Sequence, residues 1–198
     1  LQAPTITLGP ASIAGGASST LTITLDNNPP GNPSNIAFNF TYPANVFNAA
    51  TPAASTTCTS GTVTATGLGN TLSLSGASIS GNNTCTVTVS ITSCDQADYS
   101  IGGFNVTSSS GNPTAGTATL QVTSDAPADA AASSVSASPG SVLADGTTAS
   151  TVTVTGRNSC GTTVPSGRSV SLSQGTGNSA ITPASATTDA SGIATFDV

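Results

Sequence analysis

Apolar residues at every second position are the feature that most restricts this chain. In TLTITLD (20–26), Leu21, Ile23 and Leu25 fall on one face, and in TCTVTVSIT (84–92) Cys85, Val87, Val89 and Ile91 do the same. Side chains of an extended strand point alternately to opposite faces. Such segments therefore build a sheet with one apolar face and one face of Thr and Ser. PTITLGP (4–10), SNIAFNFTYP (34–43), GTVTATG (61–67), NTLSLSG (70–76), YSIGGFNVTSS (99–109) and TAGTATLQVTS (114–124) repeat the pattern. GTVTATG and NTLSLSG are separated by a short Leu-Gly-Asn turn and are expected to pair as a hairpin. No segment sustains an apolar spacing of 3.6, so helices are not expected, and the turn-punctuated strands predict an all-β sandwich or barrel.

The stretch SDAPADAAASS (124–134) breaks this rhythm with Ala, Asp and a Pro, and reads as a linker over 125–134. Beyond it the alternation restarts in SVSASP, SVLADG, STVTVTGRN, RSVSLSQG, SAITPAS and the closing GIATFDV (192–198). The expected organisation is a first domain over 1–124 and a second over 135–198. Phe196 is the only aromatic residue beyond the linker. The second core therefore rests on Val, Leu, Ile and Ala, and a domain so small needs a disulfide, a neighbour or an added strand.

Composition removes whole classes of function. The chain has 198 residues, a net charge of −6, no histidine and only 5% charged residues. Lysine is absent and the two cations are Arg157 and Arg168. Phosphate backbones and anionic lipid both need clustered Lys or Arg, so neither nucleic acid nor a membrane surface is an expected partner. No apolar run approaches the roughly 18–20 residues of a spanning helix, so membrane insertion is not expected. Without His or Lys the usual nucleophile–base pairs cannot form, and the eight aspartates are scattered, mostly in turns. No catalytic residue is predicted, and an enzyme is not expected.

Cys58, Cys85, Cys94 and Cys160 form no C-x-x-C pair and have no histidine beside them, so disulfides are favoured over zinc. That places the protein outside the cytoplasm. The chain begins at Leu1 rather than Met, and is read as a mature form whose signal peptide has been removed. Cys58 and Cys85 flank the 61–80 hairpin and suit a bridge. Cys94 and Cys160 would then pair within or between chains, although four cysteines allow three pairings.

From Val135 onward, the segments V-S-A-S-P (135–139), L-A-D-G-T-T-A-S-T-V-T-V-T (143–155), N-S-C-G-T-T-V-P-S-G (158–167) and T-T-D-A-S-G-I-A-T-F (187–196) resemble the bacterial Ig-like modules of the invasin and intimin type. A-S-I-A-G-G-A-S-S-T-L-T-I-T-L-D-N (11–27) and Y-P-A-N-V (42–46) give the first domain a likeness to another Ig-like repeat module of bacterial secreted and surface proteins. The resemblance implies two tandem Ig-like β-sandwich domains with a structural role and no catalytic residues to transfer. Invasin-type modules continue past the G-x-A-T strand, so the second domain is expected to lack its final strand.

These observations predict a non-enzymatic structural protein of the bacterial cell surface, a stalk or fibre subunit with other copies of itself as partners. In the sharper form of this expectation, copies polymerise by strand donation. Ile6 and Leu8 of LQAPTITLGP would then anchor beside Ala194, Phe196 and Val198 of another copy. The alternative is an adhesin or carbohydrate-binding module for host or surface glycans, or a repeat of a larger adhesin. An exposed cluster of Tyr42, Tyr99 and Phe47 would favour the glycan reading. No cofactor is expected. Asp125 and Asp129 are the weak candidates for calcium, lacking a D-x-D-x-D-G-like loop. The stripes Thr20/Thr22/Thr24, Thr84/Thr86/Thr88 and Thr151/Thr153/Thr155 are expected on solvent-facing strand faces, and Asn39, Asn82 and Asn105 lie in N-x-T sequons.

Overall fold

A computed structural model describes residues 1–28 and 31–198. The fold is all-β, with no helix among the described residues. The chain divides into two compact units, Leu1–Ser124 and Asp125–Val198.

The first unit holds β1 (Thr5–Gly9), β2 (Ser12–Ile13), β3 (Ser18–Asp26), β4 (Ile36–Thr41), β5 (Val46–Asn48) and β6 (Ser55–Thr56). It continues through β7 (Thr62–Thr64), β8 (Thr71–Ala77), β9 (Thr84–Ser93), β10 (Ala97–Gly102) and β11 (Thr117–Val122). One sheet runs β1-β3-β9-β5, with β6 also on β9; the others are β10-β11-β2 and β4-β8-β7. Pro10 has no N–H to continue the ladder with β3, so the chain leaves β1 there and β2 pairs parallel with β11. The apolar faces close on a single core. Leu21, Ile23, Leu25, Val87 and Ile91 of the first sheet pack in it with Leu72, Leu74, Ile101 and Leu120 of the others. Phe104 sits inside it, its ring 4.8 Å from Phe38 and 4.7 Å from Phe40. At the corner between β9 and β10, the Tyr99 hydroxyl donates to the Asp95 carbonyl at 3.1 Å. This tyrosine corner is a mark of Greek-key Ig-like sandwiches.

The expected hairpin forms, with Thr62 opposite Ser75 and Thr64 opposite Ser73. YSIGGFNVTSS is not one strand. β10 ends at Gly102, whose φ is +127° and where a Cβ would lie 2.1 Å from the Gly116 carbonyl oxygen. Only a glycine admits that approach. Single bridges at Asn105–Thr114 and Ala37–Thr107 follow.

The second unit holds β12 (Ser134–Ser138), β13 (Thr151–Thr155), β14 (Ser169–Ser171), β15 (Ser185–Thr187) and β16 (Ile193–Asp197). Its sheets are β12-β13-β16 and β14-β15. The register aligns Val135, Val154 and Ala194 in one row and Ala137, Val152 and Phe196 in the next. SVLADG, expected as a strand, is a turn. The Asp145 carboxylate accepts N–H bonds from Thr147 and Thr148 and the Thr148 hydroxyl at 2.6–2.9 Å, a local alternative to a sheet ladder. SAITPAS likewise contributes only a bridge, Thr182 to Asp197, before β15, because Pro183 interrupts the ladder.

Candidate functional site

The sulfurs of Cys58 and Cys85 are bonded, with Cα atoms 4.9 Å apart. β6 meets β9 with Ser55 opposite Thr88 and Thr56 opposite Val87, and the cysteines extend that same register. The bridge is thus a direct cross-strand link that fastens a two-residue strand to β9. Hydroxyls reinforce it, Ser55 to Thr88 at 2.8 Å and Thr57 to Thr86 at 3.2 Å. Cys94 is buried in the first unit beside the tyrosine corner, and Cys160 is half-buried in the Asn158–Thr162 turn of the second.

Polar groups inside the first unit hold the fold. The fully buried Asn48 accepts from the Tyr42 hydroxyl at 2.7 Å and donates to the carbonyls of Thr66 and Thr71, both at 2.9 Å. It thereby ties β5 to the turn of the 61–80 hairpin. Burial raises the Tyr42 pKa above its ordinary value, so the phenol remains a donor. β5 and β6 were missed in the sequence because each is too short to show a period. Y-P-A-N-V-F-N carries its signal in Asn48, a polar residue between apolar neighbours.

The aromatic cluster that would mark a sugar platform does not form. Tyr42 and Tyr99 are buried, while Phe47 is half-buried in the middle of β5. A surface depression over β4 and β8 is lined by Asn39, Ser73, Ser75, Asn105 and Thr107, and its aromatic member, Phe38, is buried in the core. Asn105 already accepts from the Thr114 hydroxyl at 2.7 Å. The outer face of the β1-β3-β9-β6 region carries registered hydroxyl rows, Thr5–Thr24–Thr86 and Thr7–Thr22–Thr88–Ser55. Their partners on the other side of each strand are the core residues.

Asp125 lies 3.9 Å from the Arg168 guanidinium, and the Asp129 carboxylate caps its own turn through the N–H groups of Ala131 and Ala132. The two carboxylates are engaged separately, and no group of three or more metal-ligating residues converges among the described residues. Among the donation candidates, Ile6 is buried and Leu8 half-buried, both in β1, which pairs with β3 from Thr5 to Gly9. Ala194 and Phe196 are buried in the second unit, and Val198 bonds through its backbone to Ser150. Ile6 and Leu8 thus belong to the first unit, and Ala194, Phe196 and Val198 to the second. In the unpaired form expected of a donor, Ile6 and Leu8 would have to leave the first unit's own sheet.

A family model described as a domain of unknown function, DUF7933, matches residues 4–122. No curated protein matches the chain. Solved structures similar to it include the D0-D1 domain of intimin, at 17% identity and a TM-score of 0.31, covering 98% of this chain and 82% of that one. Invasin, described as a bacterial integrin-binding protein, is 22% identical with a TM-score of 0.30 and coverage of 98% and 34%. The adhesin InvE of Yersinia pseudotuberculosis is 19% identical with a TM-score of 0.33 and coverage of 98% and 50%. The chain thus spans about a third of the invasin chain and half of the InvE chain.

Proposed function

The chain belongs, through residues 4–122, to the DUF7933 family, and we propose that it is a non-enzymatic structural module of the bacterial cell surface, a spacer of the kind found in adhesins. One observation carries this reading. The first unit's buried tyrosines and Asn48 are engaged in holding strands together, and the face turned outward is a neutral array of Thr and Ser hydroxyls. Such a face is well hydrated and, apart from Asp26 at the end of β3, carries neither a charge to recruit a ligand nor an aromatic ring to stack on one. A disulfide that fastens an edge strand suits a module exposed outside the cell. A Cys94–Cys160 bond, within or between chains, belongs to the same reading, and mass mapping of unreduced peptides tests it.

The experiment that tests the spacer reading is a binding screen of the purified chain against glycans and host-receptor ectodomains, beside single-molecule pulling. Cooperative unfolding under force without saturable binding is the expected outcome. Saturable glycan binding that Asn39→Ala and Ser73→Ala abolish would replace the spacer with a carbohydrate-binding module.

Association between copies is a second reading, favoured by the second unit. Its apolar face is covered unevenly: Phe196 and Ala194 are buried, Val152 and Val154 half-buried, and Val135 is 66% exposed. A surface left open in this way marks a site for another chain. β1 pairs with β3 of its own unit, and the association proposed here runs through the second unit rather than through donation of residues 1–10.

A further inference from the structure

The outer edge of β12 carries the strongest unclaimed feature of the molecule. Among the described residues β12 pairs only with β13, so half of its backbone N–H and C=O groups face outward along an open ladder. All five of its residues are exposed. Open edges are ordinarily blunted by an inward charge, a lysine or a bulge, and Ser-Val-Ser-Ala-Ser has none of these. Leu143, at 75% exposure, and Val142, at 39%, follow within the next turn. Together with Val135 they are three of the four large apolar residues exposed among the described residues.

We propose that β12 pairs antiparallel with the β12 of a second copy, about a two-fold axis at Ser136, to make one continuous sheet β16-β13-β12 with its symmetry mate. This inference rests on the reading that copies associate through the second unit.

The occupant follows from the strand's own pattern. Ser-Val-Ser-Ala-Ser reads nearly the same in both directions. Antiparallel pairing centred on Ser136 sets Ser134 against Ser138 of the mate and Val135 against its Ala137. Every apolar residue then faces an apolar one and every hydroxyl a hydroxyl, which is the self-complementarity that an isologous contact requires. The pairing also lengthens the apolar rows Val135–Val154–Ala194 and Ala137–Val152–Phe196 across the axis. It shields Val135, the point where the unit's own core fails to reach. The contact is uncharged, so the chain's net charge of −6 opposes it only at longer range, and salt screens that repulsion. A five-residue ladder is small beside a stable interface, so the contact is weak between free chains and strong between copies held close together on a surface.

Cysteine trapping tests the register. Across the axis the two Ser136 Cβ atoms would stand about 4.5–5.5 Å apart, within reach of a disulfide after small adjustment. The two Ser138 positions would be roughly 13 Å apart, four residues along the ladder. Under mild oxidation at high concentration, the full chain carrying Ser136→Cys gives a dimer whose 136–136 disulfide is identified by mass mapping of unreduced peptides, apart from any Cys94–Cys160 bond. Ser138→Cys gives none, and adding Val135→Lys to Ser136→Cys abolishes it. Hydrogen exchange across β13 and β16 verifies that each variant is folded. Sedimentation of the wild-type chain at rising concentration reads the same contact without a new thiol, as a reversible dimer lost in Val135→Lys. Equal trapping at 136 and 138, no trapping at either, or a wild-type chain that stays monomeric at every concentration overturns the proposal. Each of these results leaves the spacer reading intact, because that reading rests on the first unit and on the binding screen.

Discussion

Replacing Cys58 and Cys85 together by alanine isolates the work of the cross-strand bridge. The bond spans a sequence separation of 27. In the chain-entropy account, releasing a loop of that length lowers stability by about 3.5 kcal/mol. Both cysteines are buried, at 8% and 5% exposure, and loss of their sulfurs leaves a void that adds about 1 kcal/mol. β6 has only two residues, and besides its short ladder with β9 it is held by the Thr57–Thr86 backbone bond and the hydroxyls of Ser55, Thr56 and Thr57, mostly exposed to competing water, so the remaining interactions do not replace the bond. The chain contains two tyrosines, Tyr42 and Tyr99, both in the first unit, so tyrosine fluorescence in urea follows that unit alone. With a slope of about 2 kcal/mol per molar for a domain of this size, the midpoint falls by about 2 M. The slope itself rises, because the unfolded chain is no longer held in a loop. A midpoint shift below about 0.5 M, with unchanged slope, would refute the argument that the bridge constrains the unfolded state.

Tyr42→Phe leaves the Asn48 side-chain oxygen buried without its donor, and the same urea titration should register a loss of about 1–3 kcal/mol; Asn48→Ala, which strips three bonds, costs more. Phe196→Ala removes the second unit's only aromatic, 1% exposed, and about 3–5 kcal/mol with it, so hydrogen exchange should collapse in β13 and β16 while the tyrosine signal is unchanged. The Thr148 side chain, and then the backbone N–H groups of Thr148 and Thr147, hold the Asp145 carboxyl well below the usual carboxylate range. A depressed folded-state pKa contributes stability above the unfolded value and loses it as pH falls through the folded value. The Thr147 and Thr148 amide resonances should therefore stay unmoved through about pH 4 and shift only in stronger acid, whereas a step at the ordinary aspartate pKa would show that the turn does not hold the carboxylate.

Much of the fold was legible because strand alternation is a local property. The faces of TLTITLD and TCTVTVSIT follow from the period of an extended chain whatever lies beside them, and they meet as β3 and β9 in register from Ser18–Thr92 to Asp26–Thr84. The all-β class and the hairpin of β7 and β8 were readable for the same reason. The Thr stripes of β3 and β9 needed only the same alternation to be placed outward. Where a local competitor enters, the pattern misleads. SVLADG alternates like a strand, yet Asp145 satisfies the backbone of the next residues from its own side chain and turns the segment away.

What only the tertiary structure decided was which partner each strand meets. β5 and β6 exist because β9 offers a free edge, and no two- or three-residue segment specifies that for itself. Ile6 and Leu8 look equally able to serve their own sheet or another chain's. In this chain they serve their own, through five consecutive pairs with β3 and the burial of Ile6. Val135 alternates as well as Val87 does, but one is two-thirds exposed and the other fully buried. Periodicity determines the face on which a side chain lies. How far the opposing layer extends determines whether that face is covered, and that depends on contacts distant in the chain.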